Sequence, residues 1–283
     1  MHPSQAFSPR GAALVCSLSL SLLLLSACAT APVPPSSAAA VPEVQKGSGY
    51  LIGYLAPEAL PRSEAFLPEA PKGVAPGSSD VLAARAAFSG RGQARWTQAR
   101  ADAELKFPAA ARAFACALGF EPNEAETPHL VMLLRRTMAD AGLSTSTAKK
   151  RYSRERPFML MRESSCTPEE EAHLSHDGSY PSGHSAIGWA WALVLSEAAP
   201  MRREAVLRRG VAFGQSRVAC GVHWQSDVDA GRVVGSAAVS ALRGNAVFEA
   251  QMALAQKEVV ARLAVSPTQP AHCAAEAAAL KNF

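Results

Sequence analysis

The chain has 283 residues, 48% of them apolar, with 28 Lys plus Arg against 24 Asp plus Glu and a formal net charge of +4. That length suits one large domain or two small ones, and the apolar fraction is enough for a full core, which excludes disorder for the bulk of the chain. The charge excess is too mild to argue for a nucleic-acid partner or an acidic membrane surface, so any informative charge must be local.

In chain order, residues 1–31 read as a targeting segment. His2 and Arg10 give a weakly basic start, residues 12–25 form an apolar run of 14, and "SACATA" supplies small residues for cleavage. Such a run is too short for an ordinary transmembrane helix. Leu25-Ser26-Ala27-Cys28 resembles a bacterial lipobox, which makes Cys28 the expected lipidation site with cleavage before it; simple secretory cleavage after Ala29 or Ala31 is the alternative. Both readings export the protein. Residues 32–49, rich in Pro, Ala and Ser, read as a linker with nothing to bury. Residues 50–79 carry Pro and Gly too often for long elements and read as an extended arm with short helical turns.

From about residue 80 the pattern is helical. Helices are expected over 81–89, 93–102, 109–119, 124–141, 185–198, 202–220, 227–242 and 245–263, with irregular insertions at 64–79 and 143–180. Leu130, Leu133, Leu134 and Met138 show the three-and-four spacing of a buried face, while strand alternation is scarce. The expectation is therefore one all-α domain, a helical bundle with an extended N-terminal arm, over residues 50–283. In an exported chain, Cys116, Cys166, Cys220 and Cys273 suggest two disulfides. Three connectivities are open, spacing selects none of them, and buried free thiols are the alternative.

Residues 149–157, "KKRYSRERP", hold five cations against one Glu, usually the mark of a solvated basic loop. In "GSYPSGHS", Pro181, Ser182 and Gly183 stand at a helix entrance, where a histidine such as His184 is ordinarily packed or solvated. Exposed amides at a helix start, however, also bind anions. The third stretch is "SRVACGVHWQSD" at 216–227. Lysine, six residues, Arg-Pro, then Pro-Ser-Gly-His, then Ser-Arg, five residues, His, three residues and Asp together resemble the three-part signature of the type 2 phosphatidic acid phosphatase and vanadium haloperoxidase superfamily. Within it, "GSYPSGHS" and "SRVACGVHWQSDVDAGRV" are similar to the class A bacterial nonspecific acid phosphatases. The similarity fades beyond Leu242, leaving 245–283 uncovered, and a lipobox is a departure from the usual signal of that class.

The chemistry agrees with the residue types. Phosphoryl transfer spreads negative charge over three equatorial oxygens. Lys149, Arg156 and Arg217 supply positive charge, the arginines as planar forks, and the Ser182 hydroxyl with the Gly183 and His184 amides would complete a phosphate cradle. No metal-ligand spacing and no cofactor motif is present. The resemblance implies His223 as nucleophile forming a phosphohistidine, Asp227 orienting it, and His184 as general acid and then base. Ser226 would cap the helix holding Asp227 and Asp229, whose charges would favour the imidazolium while the cationic cradle would disfavour it, which leaves the net shift open at the level of sequence. An activity optimum between about pH 5 and 7 follows from the need for one protonated imidazole. Implied substrates are small phosphate monoesters, namely nucleotides, sugar phosphates and aryl phosphates. A side activity transferring phosphate to alcohols and assembly as a homo-oligomer are also implied. The expected location is periplasmic, with the membrane reached only through a lipid anchor, or secreted and soluble. Competing readings are a vanadium-dependent haloperoxidase, a lipid or pyrophosphate phosphatase, and a non-catalytic phosphate-binding envelope lipoprotein. His129, His173 and His176 read as solvated, Trp189 and Trp191 as core, and Tyr180 as a candidate for the cleft entrance.

Overall fold

A computed structural model describes residues 32–72, 75–265 and 268–281. The expected signal segment, 1–31 with Cys28, lies outside them. Among the described residues the regular structure is helical, joined by one isolated bridge between Glu43 and Leu51. After the arm come α1 (Ser79–Ser89) and α2 (Ala94–Ala101), then a 3-10 run (Ala109–Phe114) leading into the single turn α3 (Ala115–Leu118). They are followed by α4 (Pro128–Leu143), α5 (Ser146–Tyr152), α6 (Pro157–Met161) and α7 (Glu171–Leu174). The remainder comprises α8 (Gly183–Ala198), α9 (Arg203–Ala219), α10 (Gln225–Leu242), α11 (Ala246–Ala264) and α12 (Cys273–Ala279). The expected irregular insertion at 143–180 thus holds three short helices, α5 to α7. Proline at the first helical position starts α6, and residues with positive φ, Ser153 and Arg162, end α5 and α6 after one or two turns. Elements this short carry little periodicity to read.

The apolar run after Ser182 becomes the central helix. The Ser182 Oγ accepts from the Ser185 N–H at 3.2 Å, and α8 then buries Ala186, Ile187, Ala190, Trp191, Val194 and Leu195. Around it pack α4, α9 and α10, and α11 closes over α4. On α4 the stripe of Leu130, Leu133, Leu134 and Met138 is buried as the spacing requires, and the Trp191 indole N–H donates to the Leu134 carbonyl at 2.8 Å. The α10–α8 contact is backbone to backbone. A Cβ at Gly231 would lie 2.5 Å from the Ser182 carbonyl oxygen, and one at Gly235 would lie 2.4 Å from that of Ala186. This close approach sets the start of α10 against the start of α8, with the Ser182 N–H donating to the Asp227 carbonyl at 2.9 Å.

The arm is pinned to α4 by a buried carboxylate, Asp140, which accepts from the Tyr54 and Leu55 amides at 2.8 and 3.1 Å. Packing starts upstream of residue 50: Val41, in the stretch expected to have nothing to bury, clusters with Leu51 and Met132. Of the three connectivities, the cysteines adopt Cys116–Cys273 and Cys166–Cys220. The first ties α3 to α12 and so fastens the C-terminal tail to the body; the second ties the segment before α7 to the end of α9.

Replacing Gly235 by Ala should overpack the α8–α10 contact by about 1–3 kcal/mol and lower the melting temperature by about 3–10 °C. A melting temperature equal to that of the parent protein would show that the helices do not meet backbone to backbone.

Candidate active site

The three sequence motifs converge on one cleft of about 540 Å³. Its lining includes Lys149 from α5, Arg156 at the entrance to α6, Gly183 and His184 from the first turn of α8, Arg217 from the last turn of α9, and His223 from the α9–α10 loop. The loop 103–106, Glu170, His173 and Asp177 complete much of the wall. Asp227 lies behind His223, fully buried.

His223 is held by both ring nitrogens. An arginine can only donate, so the contact from Arg156 Nη1 to His223 Nε2 at 3.0 Å makes Nε2 the lone-pair nitrogen. Nδ1–H therefore donates to Asp227 Oδ2, at 3.3 Å. The same carboxylate oxygen accepts the Trp224 N–H at 2.9 Å, because Asp227 is the third residue of α10 and caps its start. The helix begins two residues earlier than expected, and Ser226 stands inside it rather than at its cap. Arg154, in the same basic stretch as Lys149 and Arg156, donates from Nη1 to Asp227 Oδ1 at 2.6 Å and from Nη2 to Asp80 Oδ2 at 2.8 Å. Asp80 also accepts the Ser226 amide and hydroxyl, at 2.9 and 2.6 Å. Neither Arg154 nor Asp80 is singled out by the motifs. The charge run does contain Arg154, whereas Asp80 is more than 140 residues from its partner Ser226 and leaves no local signal.

The cations are less well matched. Lys149 Nζ donates to Asp177 Oδ2 at 2.8 Å and to the Gly178 carbonyl. Arg156 donates from Nε to the Leu174 and Asp177 carbonyls, from Nη1 to the Val222 carbonyl, and from Nη2 to Asp177 Oδ2 at 3.1 Å. Arg217 is only 2% exposed, and its Nε and Nη1 have no hydrogen-bond partner. Burial, then the proximity of Arg156, pushes the Arg217 guanidinium down to about 9 and Lys149 down to about 8, with Asp177 pulling Lys149 partly back. Both imidazoles are held well below their usual value, first by burial and then by the cations, chiefly Arg217 for His184 and Arg156 for His223. Burial raises Asp227, and Arg154 opposes it.

His184 is half-buried, its ring stacked on Phe213 and its Nε2 at 2.9 Å from the Ala103 carbonyl oxygen. The preceding residue, Asp102, is fixed by a buried ion pair with Arg209 and by the Ser216 hydroxyl, and Arg209 also pairs with Glu276 of α12.

One expectation, that for Asp229, needs correction, and Ser182 and Tyr180 are placed by their own contacts. The Ser182 Oγ accepts the Ser185 amide as the helix cap, which leaves its O–H free to donate, and Ser182 is fully buried and not among the residues that line the cleft. Asp229 faces outward to Arg232 and Gln225, so it does not act on either imidazole. Tyr180 is buried with its hydroxyl donating to the Pro68 carbonyl at 3.1 Å, away from the entrance, where His173 stands instead. Among the described residues, the one group of three metal-capable side chains is Cys116, His272 and Cys273; its cysteines are paired in a disulfide and it does not line the cleft.

Comparison with known proteins agrees with this geometry. Residues 130–245 match the PAP2 superfamily, a span that contains all three motifs. The chain is 42% identical over 208 residues to the "Non-specific acid phosphatase" of Salmonella typhimurium, covering 73% of this chain and 83% of that protein. It is 47% identical over 169 residues to the protein of the same name from Providencia stuartii, covering 59% and 68%. It is 40% identical over 169 residues to the "Acid phosphatase" of Zymomonas mobilis, covering 60% and 64%. With three cations, two imidazoles and a helix start gathered in one cleft, the chain belongs to the PAP2 superfamily and, within it, to the class A bacterial non-specific acid phosphatases.

Proposed function

We propose that the protein hydrolyses phosphate monoesters in two steps through a phosphohistidine on His223, with the charge of the transferring group met by side chains and helix amides. The observation that carries this reading is Arg217. A guanidinium buried with Nε and Nη1 unpartnered, beside Arg156, is costly unless an anion completes it. Each of the two forks of that guanidinium, Nε with Nη2 and Nη1 with Nη2, contains one of these unpartnered nitrogens, and either matches two oxygens of a phosphate. Gly183 and His184 add first-turn amides, which have no acceptor within their own helix, at the positive end of α8.

His223 Nε2 carries the lone pair and attacks phosphorus once Arg156 turns from it to the phosphate. Asp227, itself anchored by Arg154, accepts from Nδ1–H and stabilises the cationic ring of the phosphohistidine. His184 gives its Nε2–H to Ala103, which fixes the ring and leaves Nδ1 to donate a proton to the leaving oxygen and then to take one from water. Export with lipid attachment at Cys28 completes the reading; it rests on the N-terminal sequence, is in keeping with the two disulfides, and is checked by the mass of the mature amino terminus.

Rapid quenching in alkaline detergent with a radiolabelled monoester should trap one base-stable, acid-labile phosphate per chain in the parent protein, equally with and without chelator. His223→Ala should trap none and lose at least about 10³-fold in kcat. Trapping by the variant, or loss of turnover in chelator restored by a divalent ion, would remove the proposed mechanism.

The pH dependence has a definite sign. In the empty cleft burial, and after it the cations, lower His184, so its acid form is lost as pH rises through a value below about 6.5, and kcat/KM should fall there. A bound phosphate dianion offsets the cations and raises His184, so the corresponding limb of kcat should lie at higher pH. Coincident limbs would contradict this electrostatic account.

A further inference from the structure

Asp177 belongs to none of the three motifs, yet its carboxylate holds two of the three cations. Asp177 Oδ2 accepts from Lys149 Nζ at 2.8 Å and from Arg156 Nη2 at 3.1 Å, and its side chain is 40% exposed on the cleft wall just after α7. The donors on these cations are nearly exhausted. Of the five N–H groups of Arg156, Nε serves the Leu174 and Asp177 carbonyls, Nη1 serves Val222 and His223, and Nη2 has given one to Asp177. Lys149 has spent two of its three N–H groups, on Asp177 and the Gly178 carbonyl. Neither cation can take two phosphate oxygens without giving up a present partner.

We propose that Asp177 is an internal substitute for the phosphate, holding Lys149 and Arg156 while the cleft is empty and competing with the anion that enters. This rests on the reading of the cleft as a phosphate site. On entry, Lys149 and Arg156 exchange the carboxylate for phosphate oxygens, and Asp177 swings into the solvent it already half faces. Its negative charge then lies beside the bound dianion, weakens the hold on inorganic phosphate, and speeds product release.

The test uses the mature full-length protein and inorganic phosphate as probe, with the dissociation constant from calorimetry and the inhibition constant against a chromogenic monoester. Asp177→Asn removes the charge and keeps the shape, and should tighten phosphate binding by at least about tenfold, the scale of one like charge lost within a few ångströms. Asp177→Glu should stay within about threefold of the parent. Equal or weaker phosphate binding by Asp177→Asn would overturn the proposal and assign the carboxylate to positioning. A parent protein that bound no phosphate would instead overturn the function reading beneath it. Should the Asn variant fold poorly, the phosphate-bound structure of the parent protein decides: Asp177 Oδ2 beyond hydrogen-bond distance of Arg156 Nη2 supports the exchange, and both contacts intact beside bound phosphate refute it.

Discussion

Three positive side chains in one partly dry cleft repel one another, and the architecture exists to hold them there. Arg217 shows the problem most plainly, since it is buried with Nε and Nη1 unpartnered and next to Arg156. Such an arrangement is unstable alone and becomes favourable when an oxyanion enters. The lowered pKa of Lys149, Arg217 and both imidazoles comes first from burial and then from this crowding of positive charge.

The fold meets this constraint at two levels. Glycines on α10 let it lie directly on α8, so the Asp227 end and the Gly183 end share hydrogen bonds and cannot drift apart. Beneath the cleft, carboxylates then neutralise the arginines that serve as struts: Asp80 and Asp227 on Arg154, Asp102 and Glu276 on Arg209. The second of these networks reaches the C-terminal tail. Glu276 lies on α12, which Cys116–Cys273 fastens, and Asp102 precedes the carbonyl that sets His184. The tail that matched no motif therefore supports the position of a proposed catalytic group.

Much of this was legible in the sequence, for stated physical reasons. The stripe on α4 follows helical periodicity, and Lys149, Arg156, Gly183, His184, Arg217 and His223 lie in short motifs whose residue types suit a phosphate, so they could be named before any geometry. Ser182 was legible as a cap as well as a ligand, and its contact with the Ser185 amide realises the cap. What sequence could not show depends on distant pairing. Asp177 meets Arg156 across 21 residues, Arg154 meets Asp80 across 74, and no periodic pattern marks either pair. Disulfide connectivity and the outward turn of Asp229 are likewise properties of the packed chain.

The central claim is that an oxyanion completes the Arg217 fork beside His223. A crystal of the protein soaked in tungstate tests it directly. Tungstate oxygens are expected within hydrogen-bond distance of Arg217 Nε or Nη1, with His223 Nε2 facing the tungsten and His184 lining the same pocket. Tungstate bound elsewhere, with the Arg217 edge still unpartnered, would contradict it.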